Sequence, residues 1–135
     1  MKIKRLEHVA VTVSDLGEAK DMLTNFFGLT MEYEERVNTT DLAMFPIGDT
    51  YIELLHSSDP TSRTGAWMSK HGTGLFHICL EIEDIVEAVE ELKAKGVRLL
   101  NDTPAVGHNN SRIVFIDPAS TGNLFIELVE LRSEQ

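Results

Sequence analysis

Two stretches of the sequence alternate apolar residues with polar or small ones at a period of two. One runs from His8 to Asp15 and the other from His77 to Asp84. In both stretches, every second residue before the final aspartate is valine, isoleucine or leucine. The first of the alternating polar or small residues is the histidine. This alternation is typical of a strand with one buried face. We therefore predict two related strands, each with a histidine at the start of its less apolar face.

The similarity extends beyond these two strands. An Asp-Leu/Ile-x-Glu-Ala segment begins at Asp15 and again at Asp84, and an aromatic-Ile-Glu-Leu segment occupies residues 51–54 and 125–128. An aspartate with a glutamate three residues later resembles a capping box, which predicts the start of a helix. We interpret the chain as a tandem duplication, the first pattern to look for in any sequence.

The predicted elements follow the order βαβββ in each copy. Amphipathic helices that end at glycine are predicted over 15–28 and 84–96, and a short helix is predicted in the joint over 65–71. Strands are predicted over 6–13, 29–36, 41–47, 50–55, from residue 74 onward, 97–100, 112–116 and 123–130. The predicted fold class is α+β, with two tandem βαβββ modules at about 5–56 and 74–131. Half-domains of this size are marginal alone, so we predict a single domain over 1–135.

Composition narrows the choice of partners. The chain has 135 residues, with 12 Lys and Arg against 22 Asp and Glu, and a net charge of −10. This charge disfavours nucleic acid and anionic membranes as partners. No apolar run approaches the roughly 20 residues that a membrane span needs. The single cysteine, Cys79, rules out an internal disulfide and fits a reducing compartment, so we expect a cytoplasmic protein.

Four candidate metal ligands occupy equivalent places in the two copies. They are His8 and Glu53 in the first copy, and His77 and Glu127 in the second. Each glutamate interrupts an apolar strand, where a carboxylate needs a partner or a metal. Taken singly, a strand glutamate more often faces solvent and a strand histidine is more often a core residue. Because both recur in phase, we predict a groove in which the four side chains bind one borderline divalent ion.

These residues resemble the vicinal oxygen chelate superfamily, which pairs βαβββ modules around a metal. The second half of the chain is similar to the methylmalonyl-CoA epimerases of that superfamily. The similar segments are Lys70–Ile78, Glu81–Ile85, Leu92–Leu99 and Pro118–Glu130. The resemblance implies that the four candidate ligands bind one divalent ion, which would be Co, Mn, Ni, Zn or Mg.

The resemblance also implies the reaction. It is a metal-dependent epimerisation that inverts the α-carbon of methylmalonyl-CoA, or of a similar 2-acyl thioester, by proton abstraction through a metal-stabilised enolate. Glu127 is implied to be one catalytic base as well as a ligand. The implied substrate is a small acyl-CoA, and the implied assembly is a homodimer.

The sequence departs from this family at several positions. Asp117 and Ala119 flank a proline where the family often has histidine and lysine, and residues 107–110 replace a more glycine-rich loop. The family's second base would fall near Leu42, whose side chain cannot move a proton. Asp41 is adjacent, but strand alternation predicts that it faces the other way.

Two other functions use the same kind of fold. The first is a glyoxalase I-type lactoylglutathione lyase, whose usual N-terminal arginine would have to be Arg5, three residues before His8. The second is a metal-free binding module, which would not need the four candidate ligands. An iron dioxygenase needs only two histidines and one carboxylate, so a fourth ligand argues against it.

Overall fold

The computed structural model describes residues 1–132, and contacts divide this part of the chain into two compact units. The first unit is His8–Phe76, and the second unit comprises Met1–Glu7 and the chain from His77 onward. The elements are β1 (Ile3–Thr12), α1 (Leu16–Phe27), β2 (Tyr33–Val37), β3 (Thr40–Ile47), β4 (Thr50–His56), α2 (Arg63–His71), β5 (Gly74–Ile82), α3 (Ile85–Ala94), β6 (Ala105–Val106), β7 (Arg112–Ile116) and β8 (Ile126–Glu130). Short 3-10 turns cover His108–Asn110 and Pro118–Ser120.

In the first unit, the strands lie in the order β2-β3-β4-β1. The strand pairs β2–β3 and β3–β4 are antiparallel, and β1 runs parallel to β4. The helix α1 begins at Asp15, whose side chain accepts a hydrogen bond from the Glu18 amide, and it ends at Gly28 with φ +69°. Its apolar residues pack on one face of these strands, in a buried cluster of Val13, Leu23, Ala43, Phe45 and Leu54.

The second unit repeats this arrangement with the strand order β5-β8-β7-β6. The strand β5 runs parallel to β8, and β7 is antiparallel to both β8 and β6. Asp84 caps α3 by accepting a hydrogen bond from the Glu87 amide. The helix covers one face of the sheet in a buried cluster of Ile82, Ile85, Ala88, Val89, Val114, Ile116 and Leu128.

The predicted α+β fold of two βαβββ modules is confirmed. Both main helices and β7 lie where the periodicity predicts them, and the joint contains the predicted short helix, which begins slightly earlier at Arg63. The strand β1 begins earlier than predicted, whereas β2 and β8 begin later, at Tyr33 and Ile126. No helix within residues 1–132 is long and apolar enough to cross a membrane. The single-domain description stays a prediction.

The predicted strand over 97–100 is wrong. In this segment only Leu99 forms a bridge, opposite Ile116, and the short β6 occurs later. The side chain of Asn101 takes the place that a continuing strand would occupy beside β7. Its oxygen accepts a hydrogen bond from the Phe115 amide at 2.9 Å, and its nitrogen donates to the Ile113 carbonyl at 3.1 Å. The backbone of residues 98–100 does make two hydrogen bonds to this edge, from the Asp117 amide to the Arg98 carbonyl and from the Leu100 amide to the Phe115 carbonyl. Beyond them a side chain satisfies the β7 backbone, so the ladder is too short to form a strand.

The cap of α3 gives a direct test of this fold. The variant Asp84→Ala should lower the free energy of unfolding by about 1 kcal/mol, because the Glu87 amide loses its acceptor at 3.0 Å. Urea denaturation measures the change. Asp84→Asn is the control, since it keeps a capping oxygen and should lose much less. Equal stability of the alanine and asparagine variants would contradict the capping role.

Candidate metal centre

The first predicted pair meets across the parallel strands β1 and β4. His8 lies opposite Tyr51, and Ala10 lies opposite Glu53. Since alternate residues of a strand share a face, His8 and Glu53 project from the same face, one diagonal step apart. The His8 Nε2 atom lies 3.2 Å from Oε1 of Glu53, with only 0% and 5% of the two side chains exposed.

The second predicted pair repeats this geometry across β5 and β8. Cys79 lies opposite Glu127, and His77 lies two residues before Cys79 on the same face. The Nε2 atom of His77 lies 3.3 Å from Oε1 of Glu127, and both side chains are buried. Within each unit, the structure therefore brings together the histidine and the glutamate that the sequence singled out.

A small buried residue lies between the two members of each pair. It is Ala10 in the first unit and Cys79 in the second, and both are completely buried. Each follows its histidine by two positions and faces the glutamate directly. A larger side chain at either buried position would crowd the glutamate that it faces. The repeated small residue is thus part of the geometry of each pair.

Each pair fits a divalent cation by the chemistry of its donors. A buried carboxylate is costly unless a cation or hydrogen-bond donors compensate its charge. An imidazole nitrogen and a carboxylate oxygen are ligands that Zn, Ni, Co, Mn and Fe accept together. Within each unit, the buried pair therefore offers one nitrogen and one oxygen donor to a cation.

Strand β3 carries no base next to Glu53. Met44 lies opposite Glu53, so Met44 and Leu42 share its face, and both are buried apolar residues. Asp41 faces the other way, as predicted. Its carboxylate is partly exposed and lies 3.2 Å from Nη1 of Arg36.

The structure contains a third buried pair of histidine and glutamate, which the sequence did not predict. In the second unit, Nε2 of His108 lies 2.8 Å from Oε1 of Glu7, and both side chains are almost fully buried. Arg5 connects this pair to β5. Its Nη2 lies 3.8 Å from Oε2 of Glu7, and its Nε donates to Oε1 of Glu81 at 2.6 Å. The only signal in the sequence was that His108 lies in the loop that departs from the glycine-rich pattern of the family.

Arg5 and Asp117 both have structural roles in the second unit. The ion pair with Glu81 occupies the guanidinium that the glyoxalase alternative would require. Asp117 accepts a hydrogen bond from the Ala119 amide at 2.9 Å and so begins the 3-10 turn before β8. The aspartate at this family-variable position therefore shapes the turn that leads to Glu127.

The family model and the relatives that match this chain point to one superfamily. Residues 7–115 match the family model of the Glyoxalase/Bleomycin resistance protein/Dioxygenase superfamily. The mitochondrial methylmalonyl-CoA epimerase of Dictyostelium discoideum is 35% identical over 95% of this chain and 79% of its own length. The ethylmalonyl-CoA/methylmalonyl-CoA epimerase of Cereibacter sphaeroides is 31% identical over 96% of this chain and 99% of its own.

The chain also resembles a solved structure from the same group of enzymes. A variant of the Streptomyces coelicolor methylmalonyl-CoA epimerase, in complex with 2-nitronate-propionyl-CoA, superposes with a TM-score of 0.94 at 27% identity and covers 99% of both chains. The fold is that of the vicinal oxygen chelate class. The chain belongs to the Glyoxalase/Bleomycin resistance protein/Dioxygenase superfamily and, within it, to the methylmalonyl-CoA epimerases. The predictions of this family and of an isomerase are confirmed, and the glyoxalase alternative is weaker.

The small residue between His77 and Glu127 gives a test of the pair's geometry. Cys79→Leu should destabilise the protein by about 1–3 kcal/mol, because the added volume has no space at a completely buried position. Cys79→Ala is the control, since the first unit already has alanine at the equivalent position, and it should cost less. Chemical denaturation of both variants measures the difference. A larger loss in Cys79→Ala would mean that the thiol itself stabilises the fold.

Proposed function

We propose that the protein is a metal-dependent epimerase that inverts the α-carbon of methylmalonyl-CoA or of a similar 2-alkylmalonyl thioester. The observation that carries this proposal is the buried His77–Glu127 pair and its copy, His8–Glu53. The names of the relatives support the choice of an acyl-CoA substrate. The relative from Cereibacter sphaeroides is named for both an ethyl and a methyl substrate, which favours the wider class.

The proposed cofactor is one divalent ion, Co, Mn, Ni, Zn or Mg, held by His8, Glu53, His77 and Glu127. The support is that each unit contributes a matched imidazole and carboxylate, both buried. When bound, the ion would supply Lewis-acid chemistry at the thioester carbonyl. The chain itself supplies two neutral and two anionic ligands.

The proposed proton carrier is Glu127. The α-carbon lies between a thioester and a carboxylate, so its proton is acidic and a positioned carboxylate can remove and return it. Glu127 lies opposite Phe115 on the one side and Cys79 on the other, and these neighbours are buried. Such surroundings exclude water from the carboxylate. Glu53 is proposed to act only as a ligand.

We also propose that the protein is cytoplasmic and a homodimer. The single cysteine is buried and free, which is compatible with a reducing compartment.

The proposed homodimer is supported by apolar surface at the end of α1. There Phe26 and Phe27 are 76% and 68% exposed, and such apolar surface favours association with a second copy. Sedimentation of the protein, compared with a Phe26→Ser variant, would test the assembly.

Metal content tests the ligand assignment. The purified protein should bind about one divalent ion per chain, and His77→Ala should lower the content and affinity strongly, because it removes one ligand of four. Elemental analysis after equilibration with Co, Mn, Ni, Zn or Mg measures this. His71→Ala is the control, since His71 is exposed and contacts Trp67, with ring centroids 3.8 Å apart and planes tilted by 31°. Full metal content in His77→Ala would show that the assignment is wrong.

Deuterium exchange tests the function and the role of Glu127. In heavy water, the wild-type protein should incorporate deuterium at the α-carbon of methylmalonyl-CoA or ethylmalonyl-CoA. With metal restored in excess, Glu127→Gln should still exchange about 10²–10⁴-fold more slowly, because it lacks the base. Glu53→Gln should be largely rescued by added metal, since it loses only ligand strength.

Two results of this experiment would contradict the proposal. A metal-loaded wild-type protein that exchanges neither substrate is not an epimerase of this class. Equal rescue of both glutamine variants by metal would show that Glu127 is a ligand only and that another group moves the proton.

A further inference from the structure

An aromatic pair stands beside the second buried pair. Phe115 lies on β7 directly opposite Glu127, and Phe125 immediately precedes β8, two residues before Glu127. The Phe125 carbonyl accepts a hydrogen bond from the Ile78 amide at 3.2 Å, so the chain is already paired with β5 at this point. The two phenyl rings stack, with centroids 5.1 Å apart and planes 23° apart.

The imidazole of His77 meets both phenyl rings nearly at a right angle. Its centroid lies 5.3 Å from that of Phe115 at 85°, and 5.8 Å from that of Phe125 at 84°. Aromatic pairs prefer such edge-to-face contacts at about 4.5–7 Å between centroids. Both phenyl rings of the stacked pair therefore contact the His77 imidazole and restrict the orientation of its plane.

The plane of a histidine ring needs such a constraint. The second side-chain torsion of histidine is broad, so the strand backbone alone leaves the direction of the ring nitrogens open. In His77, the ring plane decides whether Nε2 points towards Glu127 at 3.3 Å. We propose that Phe115 and Phe125 are positioning residues that fix the imidazole plane of His77 and so prepare it as a ligand. The consequence for metal binding rests on the proposed function, whereas the ring orientation does not.

The first unit has different residues at the equivalent positions. Met44 lies opposite Glu53, where the second unit has Phe115, and Tyr51 lies opposite His8, where the second unit has Phe125. The Tyr51 hydroxyl donates a hydrogen bond to the carboxylate of Glu32. The stacked phenyl pair is thus a property of the second unit, and we expect His77 to respond to changes that leave His8 unaffected.

The experiment compares four variants. Phe115→Leu and Phe125→Leu keep an apolar side chain but remove the ring. Phe125→Tyr keeps the ring, so its His77 signals and metal affinity should stay close to those of the wild type. Phe45→Leu is the matched control for lost volume, because Phe45 is completely buried on the helix-covered face of the first unit.

The first measurement is NMR of the metal-free protein labelled at histidine. In the wild type, the His77 ring should give one sharp set of signals, with contacts to the two phenyl rings and to the side-chain protons of Glu127. In Phe115→Leu and Phe125→Leu, these signals should broaden or split, and the contacts to Glu127 should weaken. The other four histidine signals, and the spectra of Phe125→Tyr and Phe45→Leu, should stay close to the wild type.

The second measurement is metal affinity by chelator competition. Changes to residues that orient a ligand typically weaken binding by about 10–100-fold. We therefore expect at least a roughly tenfold loss in the two leucine variants and no comparable loss in Phe45→Leu. Thermal melting of the metal-free variants shows whether stability accounts for the difference.

Each outcome bears on the positioning role. Sharp His77 signals with unchanged contacts to Glu127 in both leucine variants would overturn it, and so would a loss of affinity no larger than that of Phe45→Leu. A wild-type protein that binds no metal would defeat the proposed function instead. In that case the NMR measurement alone decides whether the phenyl pair orients His77.

Discussion

The parallel pairing of two strands places the histidine of each unit beside its glutamate. In each pair, the histidine and the glutamate project from the same face of the sheet, one diagonal step apart. The imidazole and the carboxylate come within 3.2 Å in the first unit and 3.3 Å in the second. The registers of β1 with β4 and of β5 with β8 are the same, so the two units have the same local geometry. A shift of one residue in either register would turn the glutamate to the helix-covered face.

The apolar face of each sheet allows the other face to be polar. Burying histidine and glutamate side chains costs free energy unless they are paired or bind a cation. The clusters under α1 and α3 contribute the compensating apolar burial, and both helices begin at an aspartate cap. The helix-covered face therefore stabilises each unit enough for its other face to bury a histidine and a glutamate, which are the proposed metal ligands.

The two units have diverged around this common frame. Met44 and Phe115 lie at equivalent positions opposite the two glutamates, but only Phe115 belongs to a stacked pair against a histidine. The second unit also buries the side chains of Glu7 and His108 side by side. This divergence fits the proposed reaction, in which both glutamates would serve as ligands and only Glu127 would also move a proton. Duplication accounts for the repeated pairs, and the substitutions around them account for the different surroundings of the two glutamates.

Local periodicity determined much of this protein. Alternation and capping signals in the sequence predict the two main helices and seven of the eight strands, because each of these elements depends on residues a few positions apart. The members of each histidine–glutamate pair are distant in sequence, and the pairs could be predicted because both residues recur in phase in the two copies. Tertiary structure decided what distant residues do together. The Asn101 side chain takes over from the backbone beside β7, Glu7 on β1 lies against His108, and the two phenyl rings contact His77. These contacts join side chains that are distant in sequence, and no periodic pattern in the chain encodes which of them will meet.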